Sequence, residues 1–184
     1  YFLNRYAQEK LILVFLIILS LIFYGYWEFL YCILLIGSIL FNYILGRYLA
    51  YQKLNLSKSL CLLYILVITI NLGILAIFKY LDFVIFNVNL LFDISIENQE
   101  IELPLAISFF TFQQIAFITS VYKGEIKNFK FLKYFLFVSF FPQLIAGPIV
   151  RFQEFSPQLL SNWKLNKNIR NILIGLTVFS IGMF

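Results

Sequence analysis

The stretch SFFPQLIAGPIVRF, residues 139–152, decides the fold because it is apolar but cannot form one continuous helix. Pro142 lacks the N–H that a helix interior needs, and Pro148 disfavours helical geometry at Gly147. Backbone that is not helical is tolerated at membrane depth only where it is buried in protein or lines a wet cavity. The stretch therefore predicts an interrupted segment that helps to enclose a cavity.

The composition is that of a membrane protein. The chain has 184 residues, of which 62% are hydrophobic and 12% charged, whereas soluble domains have about 45–50% apolar and about 25% charged residues. We therefore expect an all-α fold, a polytopic helical membrane protein. The formal net charge is +5, but no basic run follows the pattern of a phosphate backbone, so we expect no nucleic-acid partner.

Two residue types narrow the possible chemistry. The chain contains no histidine, which excludes histidine-activated nucleophiles, proton relays and metal sites within these residues. Its two cysteines, Cys32 and Cys61, lie far apart in apolar segments without metal-ligand spacing. We expect them to be packing residues, and we expect neither a metal site nor a bound cofactor.

Apolar segments divide the chain into predicted spans. As a single helix, residues 11–46 would be about 54 Å long, well beyond the roughly 30 Å hydrocarbon core, so we expect two spans with a turn at residues 24–28. Further predicted elements are a third span at about 60–80, a fourth at about 103–122, an interrupted fifth segment at about 134–150, and a sixth apolar segment from about Ile169. Ser156 followed by Pro157 predicts the start of a short interfacial helix. Alternating residues at 94–97 and 101–103 are consistent with a short strand.

The charges of the loops predict their orientation. Residues 47–58 hold three bases and no acid, 123–133 hold four lysines and one acid, and 151–170 hold four bases and one acid. Residues 82–102 hold five acids and no base. Because cytoplasmic loops carry an excess of Lys and Arg, the three basic loops are expected inside and the acidic loop outside.

The basic loops on both sides of the fifth segment favour a re-entrant topology. If both loops are cytoplasmic, residues 134–150 enter the membrane and leave it on the same side. The alternative is an ordinary span kinked by proline, with residues 151–170 on the opposite side.

Polar residues in the fourth span and after the fifth segment are candidate site residues. Ser108, Thr111 and Gln114 fall on one face of the predicted helix, where they either line a cavity or bond to neighbouring helices. Gln143 lies between the two breaks. Arg151 is either an anchor at the membrane edge or a site for a phosphate- or carboxylate-bearing ligand.

Several stretches occur in an order that resembles a known family. They are FYGYW (23–27), FNYILG (41–46), FKYLDF (78–83), LPLAISFFTFQ (103–113), VYKGE (121–125) and FVSFFPQLIAGPIVRFQEFSPQL (137–159). Together they resemble the membrane-bound O-acyltransferase (MBOAT) family, in its AlgI-like branch of alginate and peptidoglycan O-acetylation. Five residues match the family's motif, namely Pro142, Gln143, Gly147, Pro148 and Arg151. The resemblance implies a structural or donor-path role for them in a membrane tunnel.

The resemblance also implies an activity. An acetyl group would pass from acetyl coenzyme A, or another cytoplasmic acyl carrier, to hydroxyls of an envelope polysaccharide, in some members through a periplasmic acetyltransferase partner. The family's catalytic histidine would then lie beyond Phe184, so residues 1–184 are expected to be the N-terminal part of one domain, incomplete at both ends and inactive alone. The expected location is the bacterial cytoplasmic (inner) membrane, as a multi-pass protein in contact with lipid.

Two other functions remain as alternatives. Broken helices also occur in transporters, but transporters commonly carry ionisable residues within the membrane, and the first four spans have almost none. The chain could also be a non-catalytic membrane scaffold or a degenerate copy. The sequence leaves the acceptor open among alginate, peptidoglycan, other polysaccharides and teichoic acid.

Overall fold

The computed structural model describes residues 2–27, 29–52, 58–97, 102–146, 150–159 and 169–183. Regular structure within these ranges is entirely helical, without a strand. The helices are α1 (Phe2–Trp27), α2 (Phe29–Gln52), α3 (Lys58–Phe92), α4 (Ile107–Lys123), α5 (Phe131–Ser139), α6 (Phe141–Ala146), α7 (Phe152–Gln158) and α8 (Ile169–Met183). The fold is therefore all-α, as predicted.

The first apolar region is divided into two helices at the predicted place. α1 ends at Trp27 and α2 begins at Phe29, while Glu28 lies outside the described residues. Two tyrosine hydroxyls near this turn donate to carbonyl oxygens ahead of α4, from Tyr24 to Leu105 over 2.8 Å and from Tyr31 to Glu102 over 2.7 Å. The turn and the segment before α4 therefore lie at one end of the bundle.

α3 is longer than the predicted third span. It has 35 residues, which corresponds to about 52 Å, and it continues through Asp82 to Phe92. Within it, Asn87 donates to the carbonyl oxygen of Phe83 over 2.7 Å, four residues earlier. The helix stops where Asp93 takes a left-handed φ of 54°. The predicted strand at 94–97 is wrong, because the Asn89 side chain bonds both the N–H and the carbonyl of Ile96 and holds this segment against α3.

α4 begins four residues later than its predicted span. Residues 103–106 precede the helix as a turn, in which Ala106 takes a left-handed φ of 57°. The Ile107 N–H bonds to the Pro104 carbonyl over 3.2 Å. At the other end, Gly124 has φ 77°, and its N–H bonds back to the last turn of the helix, as is common for a glycine that ends a helix.

The fifth segment is interrupted two residues before Pro142. α5 ends at Ser139, Phe140 is extended, and α6 begins at Phe141. The Phe140 carbonyl accepts the N–H groups of Gln143 and Leu144, both over 3.1 Å. Pro142 therefore falls in the first turn of a new helix, where its missing N–H needs no partner.

The predicted interfacial helix begins earlier than expected. α7 starts at Phe152, because the Arg151 carbonyl accepts the N–H groups of Glu154 and Phe155 over 3.0 and 3.1 Å. Pro157 lies inside this helix near its end instead of at its first position. The prediction of a start at Ser156–Pro157 is therefore wrong, and residues 160–167, which were expected to continue that helix, lie outside the described residues.

The core of the bundle surrounds α5. Seven consecutive residues, 133–139, are buried on this helix. The Tyr134 ring packs against the rings of Phe117, Tyr43 and Phe129, with centroids 4.4, 5.9 and 6.4 Å away. A helix buried on every face is surrounded by protein, so α5 occupies the interior of the bundle.

The outer surfaces are apolar. α2 and α3 are long and apolar enough to cross a membrane. Shorter apolar helices cover Lys10–Tyr26 and Ile172–Met183, and all the described side chains of α8 are exposed. Helices that are apolar on their exposed faces are typical of membrane proteins. The chain is therefore an all-α membrane protein.

A reciprocal pair of amides joins α2 to α3 within this apolar region. The Asn42 side chain donates to Asn71 Oδ1 over 3.0 Å, and the Asn71 side chain donates to Asn42 Oδ1 over 2.9 Å. Both side chains are buried. Polar side chains are favoured between membrane helices when they bond to one another, so this pair fixes the position of α3 against α2.

A double-mutant cycle tests this pair. Asn42→Leu leaves the Asn71 amide without its partner on α2, and we expect the free energy of unfolding to fall by about 1–3 kcal/mol. The double variant Asn42→Leu, Asn71→Leu removes both amides and should lose less than the sum of the single losses, with a coupling of about 0.6–2 kcal/mol. Unfolding measured in mild detergent gives these values. Additive losses would show that the two amides do not act together.

Candidate functional site

Gln114 links three helices in the interior. Its side chain is fully buried in α4. Its amide nitrogen donates to the Ser38 hydroxyl on α2 over 3.0 Å, and its carbonyl oxygen accepts the Tyr134 hydroxyl on α5 over 3.2 Å. An unpaired amide at this depth would be costly, so the three side chains hold one another in place.

Gln113, the next residue, supports the interrupted segment. Its side-chain nitrogen donates to the Phe137 carbonyl over 3.2 Å. Because α5 ends at Ser139, this carbonyl is among the last four of the helix, which have no partner within the helix. Gln113 therefore satisfies a backbone group that the break leaves open.

A cavity of about 190 Å³ lies between α4, the loop after it, α5 and the start of α7. We refer to it as the basic-end cavity. Its lining residues are Gln113, Ala116, Phe117, Thr119, Ser120, Lys123, Glu125, Ile126, Phe137, Arg151 and Phe152. The cavity therefore joins the buried end of α5 to three charged side chains.

The electrostatics of this cavity centre on Glu125. A hydrogen bond from the Ser120 hydroxyl is the main cause that lowers the pKa of Glu125, followed by one from Gln153, whose amide lies 3.1 Å from the carboxylate. The positive charges of Lys123 and Arg151 lower the pKa of Glu125 further. The carboxylate stays ionised at neutral pH, and the two bases leave the mouth of the cavity with an excess of positive charge.

The five residues of the predicted tunnel motif fall in different places. Pro142 is exposed and Gln143 is half-buried on α6, and neither lines the basic-end cavity. The Gln143 amide nitrogen is buried and has no partner in the described part of the chain. Arg151 precedes α7 and lines the cavity. Gly147 and Pro148 lie outside the described residues, so a tunnel lined by all five stays a prediction.

The three polar residues predicted on one face of α4 also lie in different surroundings. Gln114 bonds to α2 and α5, as described above. Thr111 is buried beside a different cavity, and half-buried Ser108 lines neither cavity. Gln114 thus bonds to neighbouring helices and Thr111 lines a cavity, and a functional role for either residue stays a prediction.

Sequence reasoning missed several residues of the site. Gln113, Ser120 and Glu125 were not among the predicted site residues, although Gln113 and Ser120 belong to the polar fourth span and Gln113 adjoins Gln114. Asn42 and Asn71 were also missed. A signal for them was present, because an amide in the middle of a predicted span needs a partner in a neighbouring helix.

Comparisons with known proteins place these features in context. The chain is 40% identical to a peptidoglycan O-acetyltransferase of Helicobacter pylori, over 100% of this chain and 40% of that protein. It is 32% identical to a probable alginate O-acetylase AlgI of Pseudomonas aeruginosa, over 86% of this chain and 31% of that protein. A probable alginate O-acetylase AlgI of Azotobacter vinelandii is 31% identical over 76% of this chain and 29% of that protein.

No family model matches the chain, and no solved structure matches it. The chain spans about 40% of the length of its Helicobacter relative and less of the others. The resemblance to AlgI-like O-acetyltransferases of the MBOAT type is confirmed by these relatives. The chain is thus homologous to bacterial O-acetyltransferases named for peptidoglycan and alginate.

The hydrogen bond from Ser120 can be tested by titration. Ser120→Ala should raise the pKa of Glu125 towards its ordinary value of 4.5, and by more than Gln153→Ala does, because Ser120 is the larger cause. Since the folded pKa is lowered, these bonds stabilise the fold above the ordinary pKa, and their contribution is lost as pH falls through the lowered pKa. Carboxyl ¹³C shifts of Glu125 report the titration. An unchanged pKa in Ser120→Ala would contradict the assignment.

Proposed function

We propose that residues 1–184 form part of one membrane domain of an O-acyltransferase that acetylates hydroxyls of an envelope polysaccharide. The observation that carries the proposal is the 40% identity to a peptidoglycan O-acetyltransferase over the whole chain. The lower identity to the alginate O-acetylases favours peptidoglycan as the acceptor. The protein would act in the bacterial cytoplasmic membrane, which it would cross several times.

The positions of charged residues support this topology. At one end of the bundle, Arg47 near the end of α2 lies 5.8 Å from the centre of the Phe129 ring, in the loop after α4. Arg151 lines the cavity with Lys123 and Glu125 at the same end. Because bases collect on the cytoplasmic side, this basic end would face the cytoplasm. The acidic loop, whose Glu102 lies beside the start of α2, would face the other side.

The interrupted segment begins and ends at the basic end. Phe131, the first residue of α5, packs against Tyr43 of α2 with ring centroids 5.0 Å apart. Phe141 of α6 reaches Phe23 of α1, with centroids 4.9 Å apart. The chain has returned to the basic end at Arg151. This course supports a re-entrant segment, since α5 and α6 are about 14 and 9 Å long and neither could cross the roughly 30 Å core alone.

The basic-end cavity would then receive the acyl donor from the cytoplasm. Acetyl coenzyme A and other phosphopantetheine-type carriers bear phosphates, which the side chains of Arg151 and Lys123 are placed to bind. The negative charge of Glu125 would partly neutralise these two bases. Its carboxylate would also hold the Gln153 side chain in position. The described residues would therefore supply the donor side of the reaction.

The reaction itself needs a base for the acceptor. The acceptor oxygen attacks the thioester carbonyl while a base takes the hydroxyl proton, and a C–O bond forms as the C–S bond breaks. The thiolate leaves and receives the proton from the protonated base. This chain has no histidine, and its relatives are longer, so the base would come from a residue that is not in this chain. A separate periplasmic acetyltransferase would complete the transfer to the acceptor.

Labelling from each side of the membrane tests the re-entrant segment. With Cys32 and Cys61 replaced by serine, single cysteines at Lys127 and Glu154 should react only with an impermeant maleimide applied from the cytoplasm, because both lie at the basic end. A cysteine at Asp93 should react only from the opposite side. Labelling of positions 127 and 154 from opposite sides would replace the re-entrant segment with a kinked span.

Substitution of Arg151 tests the donor site. Arg151→Ala in the host bacterium should lower the O-acetyl content of the wall glycan at least about tenfold, because a charge-assisted phosphate contact contributes about 1.5–3 kcal/mol. Lys127→Ala is the matched control, since Lys127 is an exposed base outside the cavity. Membrane levels of both variants should match the wild type. Equal acetylation in the two variants would count against a donor site at Arg151.

A further inference from the structure

Three buried polar side-chain atoms have no hydrogen-bond partner in the described part of the chain. They are the hydroxyl oxygens of Ser20 and Ser139 and the amide nitrogen of Gln143. Both serines are only 1% exposed. A buried polar group without a partner is unfavourable. The three atoms therefore mark a place where a small bound molecule would supply the missing hydrogen bonds.

Neither serine uses the hydrogen bond that its own helix offers. A serine or threonine inside a helix can bond to the carbonyl four residues earlier. Thr119, Thr177 and Ser180 do so, over 2.7, 2.8 and 2.9 Å. The Ser20 and Ser139 hydroxyls make no such bond, so each can bond to a group outside its own helix.

The Ser139 side chain lies on the side of α5 that faces α1. α5 packs against α1, α2, α4 and α7. Tyr134 turns towards α2 and α4, whose side chains it contacts, and the Phe137 ring packs on Phe152 of α7. Ser139 lies about 140° from Tyr134 and about 160° from Phe137 around the helix axis. α1 is the neighbour that remains on that side.

Ser20 lies where α1 meets the break between α5 and α6. It belongs to the buried face of α1, and α1 packs against both α5 and α6. One turn after Ser20, the Phe23 ring packs on Phe141 with centroids 4.9 Å apart. Phe141 lies between Ser139 and Gln143 in the chain. The three polar groups therefore surround one contact between α1 and the break.

The chemistry of these groups fits a water molecule. The two hydroxyls can donate or accept, and the amide nitrogen donates. Pro142 has no N–H to give to the Val138 carbonyl, four residues earlier, so that carbonyl lacks its helical donor. Water both donates and accepts, and ordered waters satisfy backbone groups that a break frees in a membrane helix.

An ion fits this place less well than water. Residues 11–27 and 134–150 contain no charged side chain, so neither segment at this contact could balance the charge of an ion. An unbalanced charge in the interior of a membrane protein is costly. A neutral ligand is therefore favoured.

We infer that a water molecule is bound between α1 and the break between α5 and α6, held by the hydroxyls of Ser20 and Ser139 and by the amide of Gln143. All three atoms are sealed within the bundle, so neither lipid nor a further segment of the protein reaches them, and only a molecule as small as water can be enclosed there. The water stabilises the end of α5. The site is independent of the proposed acetyl transfer, because it requires only the packing of α1 on α5 and α6.

Hydroxyl-radical footprinting tests for this water directly. An X-ray pulse splits bound water into radicals that oxidise the side chains beside it, and mass spectrometry maps the oxidised sites. In the full-length protein in lipid nanodiscs, Leu136 should be oxidised, although it is 0% exposed, because it lies one turn before Ser139. Leu35 of α2 is also 0% exposed and lines neither cavity, and this matched control should stay unmodified. The double variant Ser20→Ala, Ser139→Ala should lose the oxidation of Leu136.

Stability gives opposite results with and without the water. If the water is bound, Ser20→Ala and Ser139→Ala each remove a hydrogen bond, and the equilibrium constant for unfolding in mild detergent should rise about twofold to tenfold. If the hydroxyls are unpaired, the same substitutions remove an unfavourable buried group, and the constant should fall. Ser180→Ala is the control for helix propensity, because the exposed Ser180 hydroxyl bonds only to its own helix.

Three results would overturn the inference. The first is an unmodified Leu136 in the wild-type protein, which needs no variant to fold. The second is an unfolding constant of Ser20→Ala or Ser139→Ala that is lower than that of Ser180→Ala. The third is a double variant whose unfolding constant rises by the full product of the two single effects, because hydroxyls that share one water should be coupled.

Discussion

The Gln114 side chain holds α5 inside the bundle, and the position of α5 determines the rest of the architecture. The Gln114 amide nitrogen donates to the Ser38 hydroxyl on α2, and the Gln114 amide oxygen accepts the Tyr134 hydroxyl on α5. In an apolar interior a single unpaired amide is costly, so the contact specifies which face of each helix turns inward. With α5 enclosed in this way, the helix can end at Ser139, which is itself buried.

The break after α5 has consequences at both of its ends. On the inner side, the Phe137 carbonyl is satisfied by Gln113, so the shortened helix does not leave an open backbone group there. On the return side, Arg151 is brought beside Lys123 and Glu125. A continuous helix through this segment would separate these charges. The concentration of charge at one cavity therefore follows from the interrupted backbone.

Much of this architecture could be predicted from local sequence. Pro142 indicated that the helix must break, and the tyrosines at 24 and 26 indicated the turn between α1 and α2. Each of these residues affects the structure only of its near neighbours in the sequence. The end of α3 was missed because the predicted boundary followed hydropathy and charge near Asp82, whereas helical geometry continues until Asp93 takes a left-handed conformation. The start of α7 was missed because the Arg151 carbonyl accepts its first N–H groups before Ser156 is reached.

The site was predicted less completely because its contacts join residues far apart in the chain. Arg151 was identified from the sequence. Lys123 and Glu125 lie far from it in the sequence, and they come beside it only because the chain returns to the basic end after α5 and α6. Likewise, polarity marked Thr111 and Gln114 as inward-facing, but only the packing of α2 and α3 assigns Thr111 to one cavity and Gln114 to a link between helices. Asn42 and Asn71 are isolated amides in sequence and become a pair only in the fold.

Hydrogen exchange of α5 in the Gln114→Leu variant tests most directly whether this contact holds the interrupted segment in the interior. The substitution leaves Ser38 and Tyr134 without their partner at a cost of about 1–3 kcal/mol, which corresponds to exchange of the α5 amides that is about 5- to 150-fold faster if they open as a unit. The amides of α3 should exchange at wild-type rates. Unchanged protection of α5, or an equal loss in α3 and α5, would contradict the account.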